Sequence, residues 1–260
     1  MRKHIYNLWA YVFSRPVFVK LNKLLFGFSL RGLGVLNYTT PYLSGEISWT
    51  KRYLSSIDKP VVFDVGANVG SYTNAILASF PQTTIYAFEP HPESFRQLTN
   101  AAGLLCFNYA VGDQTGTMQL YDYAERDGSS HASLYQGVIE KTHRSKSISH
   151  TVEVITLDDF CAGHKVTSID LLKIDTEGNE WNCLVGAQQL LRDGKIKAIL
   201  FEFNEMNIIS GTRFKDFWEV LLDFEVYRLL PGGELLNIDT YSPVFCEIYA
   251  YQNIVALRTS

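Results

Sequence analysis

Paired cysteines are the first thing this 260-residue chain lacks. Its four, Cys106, Cys161, Cys183 and Cys246, stand far apart with no Cys-x-x-Cys among them, which argues against a zinc site built on paired thiols. Three of the four sit inside apolar stretches, as reduced, buried thiols do, and a cytoplasmic setting suits them. Charge is also scarce: 19% of residues are charged and the net charge is −4, so nothing points to a bulk nucleic-acid binder. Long uninterrupted apolar runs are missing too. The opening stretch is broken by Arg15, Lys20 and Lys23, so it does not read as a membrane span. With Asn7 and Arg15 inside it and no small-residue cleavage site after it, it does not read as a signal peptide either. What remains is a chain that is 47% hydrophobic, a globular composition with ample length for one large α/β domain.

Acids are absent from the first forty residues, which hold six Lys or Arg; the rest of the chain therefore carries −10, the net −4 less this +6. The basic, aromatic-rich opening supports two readings. It forms helices that pack on the domain or across a homodimer, or it is an amphipathic segment touching an anionic membrane surface through residues 1–30. We expect a helical extension over 1–50 and one domain over 51–260.

From residue 60 the pattern is regular. "PVVFDVGA" is an all-apolar strand of the kind buried on both faces, and "GSYTNAILASF" is a helix with Tyr72, Ile76 and Phe80 at helical spacing. "TTIYAFEP", the helix "HPESFRQLTNAA" and the strand "GLLCFNYAVGD" continue the alternation, which predicts a parallel sheet with right-handed crossovers. "GTMQLYDY" and "HTVEVITLDDF" read as two strands around a long polar loop rich in Ser and His, of the length that serves as a lid or binding loop. The alternation resumes with "SIDLLKID", the helix "NEWNCLVGAQQLLRDG", "KAILFEFNE" and the helix "TRFKDFWEVLLDF". Strands in "EVYRLLPGG" and "IYAYQNIVALR" close the chain.

Ligands of open α/β sheets sit outside the carboxyl ends of the strands, and "FDVGANVG" is such an end. Gly66 lets the backbone turn sharply, and Gly70 opens the next helix, whose N–H groups suit a carboxylate. Asp64 is placed to pair with a cationic part of the same ligand. Glu89 ends the next strand 25 residues later, where an acid takes both hydroxyls of a ribose. A carboxylate, a tight turn and a ribose acid fit an adenosine with a charged amino-acid tail, that is, S-adenosylmethionine. The rival is NAD, whose turn is Gly-x-Gly-x-x-Gly; that turn is missing here, Ala67 and Asn68 standing between the two glycines. We place Asp64, Gly66, Ala67, Asn68, Gly70, Tyr72, Glu89 and Pro90 in the cofactor site. Asn108 and Ala110 meet the adenine edge, and His91 either shapes its turn or flanks the adenine.

"DVGANVGSYT", "YAFEPHPESFRQL", "NYAVGDQTGTMQLY" and above all "DLLKIDTEGNEWNCLVGA" resemble the FkbM family of S-adenosylmethionine-dependent methyltransferases over roughly residues 60–204, and "LRGLGVLNY" and "LSGE" upstream resemble lead-ins of some members. The resemblance implies a Rossmann-like class I α/β fold, a mostly parallel sheet of seven strands in the order 3-2-1-4-5-7-6 with the seventh antiparallel. It also implies methyl transfer, commonly to oxygen, with sugars, polyketides and lipid-linked acceptors among the substrates. In that order Asp175 and Glu202 end neighbouring strands, about 4.8 Å apart. They are our candidates to face the acceptor, as general base or as ligands of Mg²⁺; the metal comes by analogy with sugar methyltransferases outside the family. The other readings are a helix cap for Asp175 and a buried carboxylate paired with an Arg for Glu202. Glu180 reads as structural, and Glu177 as a brace for Lys173 or the turn. His131 in the polar loop is a candidate base, against a solvated loop histidine. The reading is an O-methyltransferase for a small-molecule or glycan hydroxyl (carbohydrate, glycolipid or natural product). An NAD-type oxidoreductase and a catalytically inactive, methyltransferase-like binding subunit are the alternatives.

Overall fold

A computed structural model describes residues 2–98, 104–125 and 127–259; the end of the second predicted helix and the start of the strand after it, residues 99–103, lie outside them. Eleven strands follow in chain order among the described residues: β1 Val61–Val65, β2 Thr84–Phe88, β3 Leu104–Phe107, β4 Ala110–Val111, β5 Gly116–Tyr123, β6 Ser147–Ile155, β7 Ile169–Ile174, β8 Ile196–Phe203, β9 Phe224–Leu229, β10 Leu235–Asn237 and β11 Gln252–Arg258. The main sheet runs β10-β9-β11-β8-β7-β1-β2-β3. β1 pairs in parallel with β2 and β7, as do β2 with β3 and β7 with β8, while β11 is antiparallel to both β8 and β9. This is the expected order 3-2-1-4-5-7-6 with an eighth strand on its edge. β10 exists because Pro231–Gly233 turns the chain back, with Gly232 at φ 70° and Gly233 at φ 83°, and three residues then pair antiparallel with β9.

Three element boundaries differ from the sequence reading. The expected third strand is two: β3 stays in the main sheet, while β4 joins β6 and β5 in a separate three-stranded sheet. Asn108 stands at the break, its amide donating to the carbonyls of Glu89 (2.8 Å) and Pro90 (3.0 Å). "LDDF" is helical, part of Leu157–His164, because the Thr156 hydroxyl accepts from the Asp159 N–H at 3.0 Å and caps the new helix. The long helix expected after residue 178 is broken into Glu180–Val185 and Gln188–Arg192. At the break Gly186 packs so closely that a Cβ would lie 2.0 Å from the Gly112 carbonyl oxygen. The second piece is held at its start by the Asp158 carboxylate, which accepts from the N–H groups of Gln189 and Leu190.

Hydrophobic cores lie on both faces of the main sheet, as an all-apolar strand pattern requires. On one face Phe63, Phe88 and Phe160 form an aromatic knot, with ring centroids 4.7 Å apart for Phe88–Phe160 and 5.8 Å for Phe63–Phe160. Each such buried ring contributes roughly 1.5–3 kcal/mol. On the other face the helices Glu46–Leu54 and Ser71–Leu77 pack Trp49, Leu54 and Ile76 against Val62, Ile85 and Leu171. The helix Glu46–Leu54 runs through residue 50, where the extension was expected to end, and it buries both Trp49 and Thr50. Earlier in the chain, Arg2–Phe13 and Val19–Gly32 are helices that bury little: Leu30 alone of the second is counted among the buried residues. No helix among the described residues is long and apolar enough to cross a membrane.

Candidate functional site

Alternation along the strands decides which side chains meet. In β1, β2, β7 and β8, the residues Val62, Ala87, Leu171 and Leu200 face the helices Glu46–Leu54 and Ser71–Leu77. Counting by twos from them places Asp64, Glu89, Lys173, Asp175 and Glu202 on the same side, at the carboxyl ends of the strands. Asp64 and Lys173 are direct cross-strand partners. The Lys173 ammonium lies 3.4 Å from the Asp64 carboxylate and 3.2 Å from that of Asp175, and 5.0 Å from the centre of the Tyr72 ring. Burial pulls the ammonium's pKa down, but the Asp175 and Asp64 carboxylates, with Glu46 behind them, more than offset this and hold it well above the ordinary lysine range. Lys173 is thus a fixed cation under the floor of the site.

The turn after β1 is set by contacts that only its own sequence permits. Gly66 has φ 82°, and a Cβ there would lie 1.8 Å from the Asp175 carbonyl oxygen, so no side chain fits. The N–H groups of Gly66 and Ala67 donate to the Phe88 carbonyl at 2.9 and 3.0 Å, tying the turn to the end of β2. There the Glu89 carboxylate accepts from the backbone N–H groups of Asn68 and His91, both at 2.7 Å. Burial raises the Glu89 pKa, these two N–H groups work against it, and the outcome is about 7 against the usual 4.5.

Beside this turn lies a narrow cleft lined by Gly66, Asn68, Glu89, Pro90, Tyr109 and Ala110, with Asp175, Thr176 and Glu177 at its far wall. The long polar loop roofs it through Ser129, Ser130, Ala132 and Leu134. Asp122 holds that roof, accepting from the N–H groups of Gly128 and Ser129, each at 2.8 Å. So does Asp127, which takes His91 Nε2 at 2.8 Å and His150 Nε2 at 2.9 Å. These three side chains are the group, among the described residues, whose ligand atoms lie close enough for one metal ion. The His91 Nδ1, however, accepts the Glu93 N–H at 3.2 Å, which leaves Nε2 as the protonated nitrogen that donates to Asp127. The trio is satisfied by hydrogen bonds, and His91 shapes its turn rather than flanking a ligand.

A second hollow opens from the first at Gly66, Asn68, Ser130, Asp175 and Glu177. It is lined further by Leu36, Tyr38, His131, His143, Glu202, Asn204, Glu205 and Tyr251. Its acids are crowded. Burial, then Asp175 and neighbouring glutamates, pushes Glu177 and Glu202 well above the carboxylate range. Glu202 accepts from the Asn204 amide at 2.9 Å, and its expected arginine partner is replaced by this amide. His131 and His143 stack with ring centroids 4.7 Å apart and planes 5° from parallel. His131 Nδ1 is 2.9 Å from the Tyr123 hydroxyl, whereas His143 Nε2 is buried without a hydrogen-bond partner. Burial, then the neighbouring His131, lowers the His143 pKa below its usual 6.5.

Several expected positions move. Asp64 is fully buried and bonded to the Thr73 hydroxyl at 2.6 Å. It faces the packed interior and braces the turn from below, against the expectation that it pairs with the ligand. Gly70, at φ 81°, starts the helix Ser71–Leu77 and is not among the residues lining the cleft. Tyr72 is hydrogen-bonded to Thr50 at 2.8 Å and lines a groove that continues past Ala67. Asn108 faces an outer groove rather than the cleft. Asp175 does not cap a helix; the turn before the helix Glu180–Val185 is held instead by Glu180, which accepts from the N–H groups of Thr176 (2.9 Å) and Gly178 (3.1 Å). Tyr109, Tyr251 and His143 were not among the expected site residues. Tyr109, between the named Asn108 and Ala110, and His143, in the same polar loop as the chosen His131, carried a local signal.

The Methyltransferase FkbM domain matches residues 64–229. Among relatives, a 2-O-methyltransferase NoeI of Sinorhizobium fredii is 26% identical, covering 70% of this chain and 80% of the relative. A 31-O-demethyl-FK506 methyltransferase FkbM of Streptomyces tacrolimicus is 26% identical, over 77% of this chain and 81% of the relative. A hexuronic acid methyltransferase AglP of Haloferax volcanii is 26% identical, over 58% and 59% respectively.

Proposed function

The chain belongs to the FkbM methyltransferase family, and from that premise we propose that it transfers the methyl group of S-adenosylmethionine to a hydroxyl oxygen of a carbohydrate, glycolipid or natural-product acceptor. The observation that carries this reading is the meeting of two hollows over Gly66 and Asp175. One is lined by Glu89, Pro90, Tyr109 and Ala110, groups that suit a nucleoside; the other is wider and holds His131, His143 and Glu202. A relative named a 2-O-methyltransferase and another named for a hexuronic acid support the acceptor class.

When bound, S-adenosylmethionine supplies a methyl carbon already activated on a sulfonium. Glu89 would hold its ribose, Pro90, Tyr109 and Ala110 its base, and Gly66, Ala67 and Asn68 the amino-acid end, above the fixed charge of Lys173. The roof loop keeps water from the reacting centre, and most of the work left to the chain is alignment of two substrates.

A hydroxyl must also lose its proton. Asp175 is tied to Lys173 and Glu202 accepts from the Asn204 amide, so both carboxylates are already engaged. In our reading His143, neutral and with Nε2 unpartnered, takes the proton, and His131 stacks on it and fixes its plane. Asp175 accepts a hydrogen bond from the acceptor and orients it. We assign no magnesium: Asp175 shares Lys173 with Asp64, Glu202 accepts from the Asn204 amide, and among the described residues neither carboxylate belongs to a group of three ligand atoms close enough for one ion.

Calorimetry with S-adenosylhomocysteine and with NADH tests the reading. Micromolar binding of the first alone is expected, and binding of NADH alone would refute it. Methyl transfer from labelled donor is then scored on a panel of sugars, uronic acids and glycolipids.

A further inference from the structure

The two N-terminal helices leave the domain with their apolar sides uncovered. In Arg2–Phe13 the residues Ile5, Leu8, Trp9 and Val12 fall on one side at helical spacing, with Lys3, Asn7 and Tyr11 on the other. Trp9 is 43% exposed and Leu8 64%. In Val19–Gly32 the residues Leu21, Leu24, Leu25 and Phe28 form a second such side, bordered by Lys20, Lys23 and Arg31; Phe28 is 63% exposed. A corner of packed rings, Trp9 stacked on Phe13 and Phe13 edge-on to Phe18, joins the helices, and the Asn22 amide donates to the Phe13 carbonyl at 2.9 Å. Helices of this length do not hold up alone in water, so this surface calls for a cover.

Charge names the cover. Residues 1–40 hold six Lys or Arg and no acid. A second copy meeting this segment face to face would set like charge on like. Neither helix can cross a bilayer. Amphipathic, aromatic-rich and purely basic helices lie in the headgroup region of anionic membranes. We propose that the helices Arg2–Phe13 and Val19–Gly32 dock this protein on an anionic lipid surface.

The docking surface is continuous with the acceptor hollow. After residue 32 the chain is pinned to the domain. Val35 is fully buried, the Leu36 N–H donates to the Tyr251 carbonyl at 2.7 Å, and Arg228 donates to the Leu33 carbonyl. Leu36 and Tyr38 then become part of the acceptor wall. Resting on the assignment of that hollow to the acceptor, the surface deepens the functional reading: the acceptor is a hydroxyl presented from the membrane plane, as on a glycolipid.

The test is flotation of the full-length protein with vesicles of phosphatidylcholine alone and with 30% phosphatidylglycerol. Binding to the anionic vesicles only is expected. Lys20→Glu with Lys23→Glu should weaken it by roughly 25-fold or more, at about fivefold for each basic residue near the surface. Trp9→Ser with Phe28→Ser should weaken it similarly. All four side chains are away from the cofactor cleft, so S-adenosylhomocysteine binding is unchanged in both variants and reports their folding. Because flotation uses neither donor nor acceptor, its failure is distinct from failure of the methyltransferase reading. No flotation with anionic vesicles, equal flotation with neutral ones, or a solution dimer abolished by Trp9→Ser with Phe28→Ser would overturn the proposal.

Discussion

Glu89 offers the sharpest check on the cofactor site, because its two roles require the same charged state. Two backbone N–H groups and, in our reading, two ribose hydroxyls all donate to its carboxylate, yet burial moves its pKa from 4.5 to about 7 in the folded protein. Below pH 7 the free protein must therefore give up a proton before the nucleoside binds. At pH 6 only about a tenth of the molecules carry the carboxylate, so affinity for S-adenosylhomocysteine should be about tenfold weaker at pH 6 than at pH 8, a loss of about 1.4 kcal/mol. In Glu89→Gln the amide oxygen can take one N–H while the NH₂ opposes the other. The loss of one charge-assisted bond, about 1.5–3 kcal/mol, should weaken binding roughly 10- to 150-fold and flatten the pH profile. Stability runs the other way. The folded pKa is raised, so the folded state binds more protons between pH 4.5 and about 7, and the free protein loses roughly 3 kcal/mol over that window as pH rises. Calorimetric titrations from pH 5.5 to 8.5 on both proteins measure this. Equal affinity at pH 6 and pH 8 in the native chain, or an undiminished slope in Glu89→Gln, would refute the assignment.

Gly66→Ala should lower stability by about 3 kcal/mol, the left-handed backbone costing about 1–2 and the displaced turn the rest. By calorimetry the melting midpoint should fall by about 6–12 °C, and a fall under 2 °C would show that the turn yields. His143→Asn should cut turnover roughly 10²–10⁴-fold. The native enzyme's rate should rise with pH along a limb centred below 6.5, the direction set by the lowered imidazole pKa, and the variant should lack that limb. Asp175→Asn should reduce kcat while leaving S-adenosylhomocysteine affinity within about threefold; an equally active variant would remove Asp175 from the acceptor's surroundings. Activity should be unchanged in excess EDTA, and inhibition reversed by Mg²⁺ would reinstate the metal.

Most of the main sheet was legible from periodicity, because strands buried on both faces must be apolar throughout and the helices between them must repeat near 3.6. Capping chemistry was legible but passed over: Thr156 with Asp158 and Asp159 announced a helix start where a strand was expected to continue. The break at Gly186 was not legible, since it arises from contact with Gly112, 74 residues away in sequence. Nor was β10, three residues too short for any period to register.

Read alone, the chain was enough to place the turn "DVGANVG" and Glu89 at strand ends, and so to suggest where we propose a nucleoside binds, because glycines in a sharp turn and an acid after the next strand are local requirements of backbone geometry. Only the tertiary structure decided which carboxylates line the hollows and in which direction their pKa values move. Cross-strand register set Asp64 against Lys173 beneath the floor, and burial among like charges raised the pKa of Glu177 and Glu202. The folding of a distant loop brought His143 over the acceptor hollow. A pKa and a line of sight depend on everything packed around a group, and neighbours far along the chain leave no mark in the residues beside it.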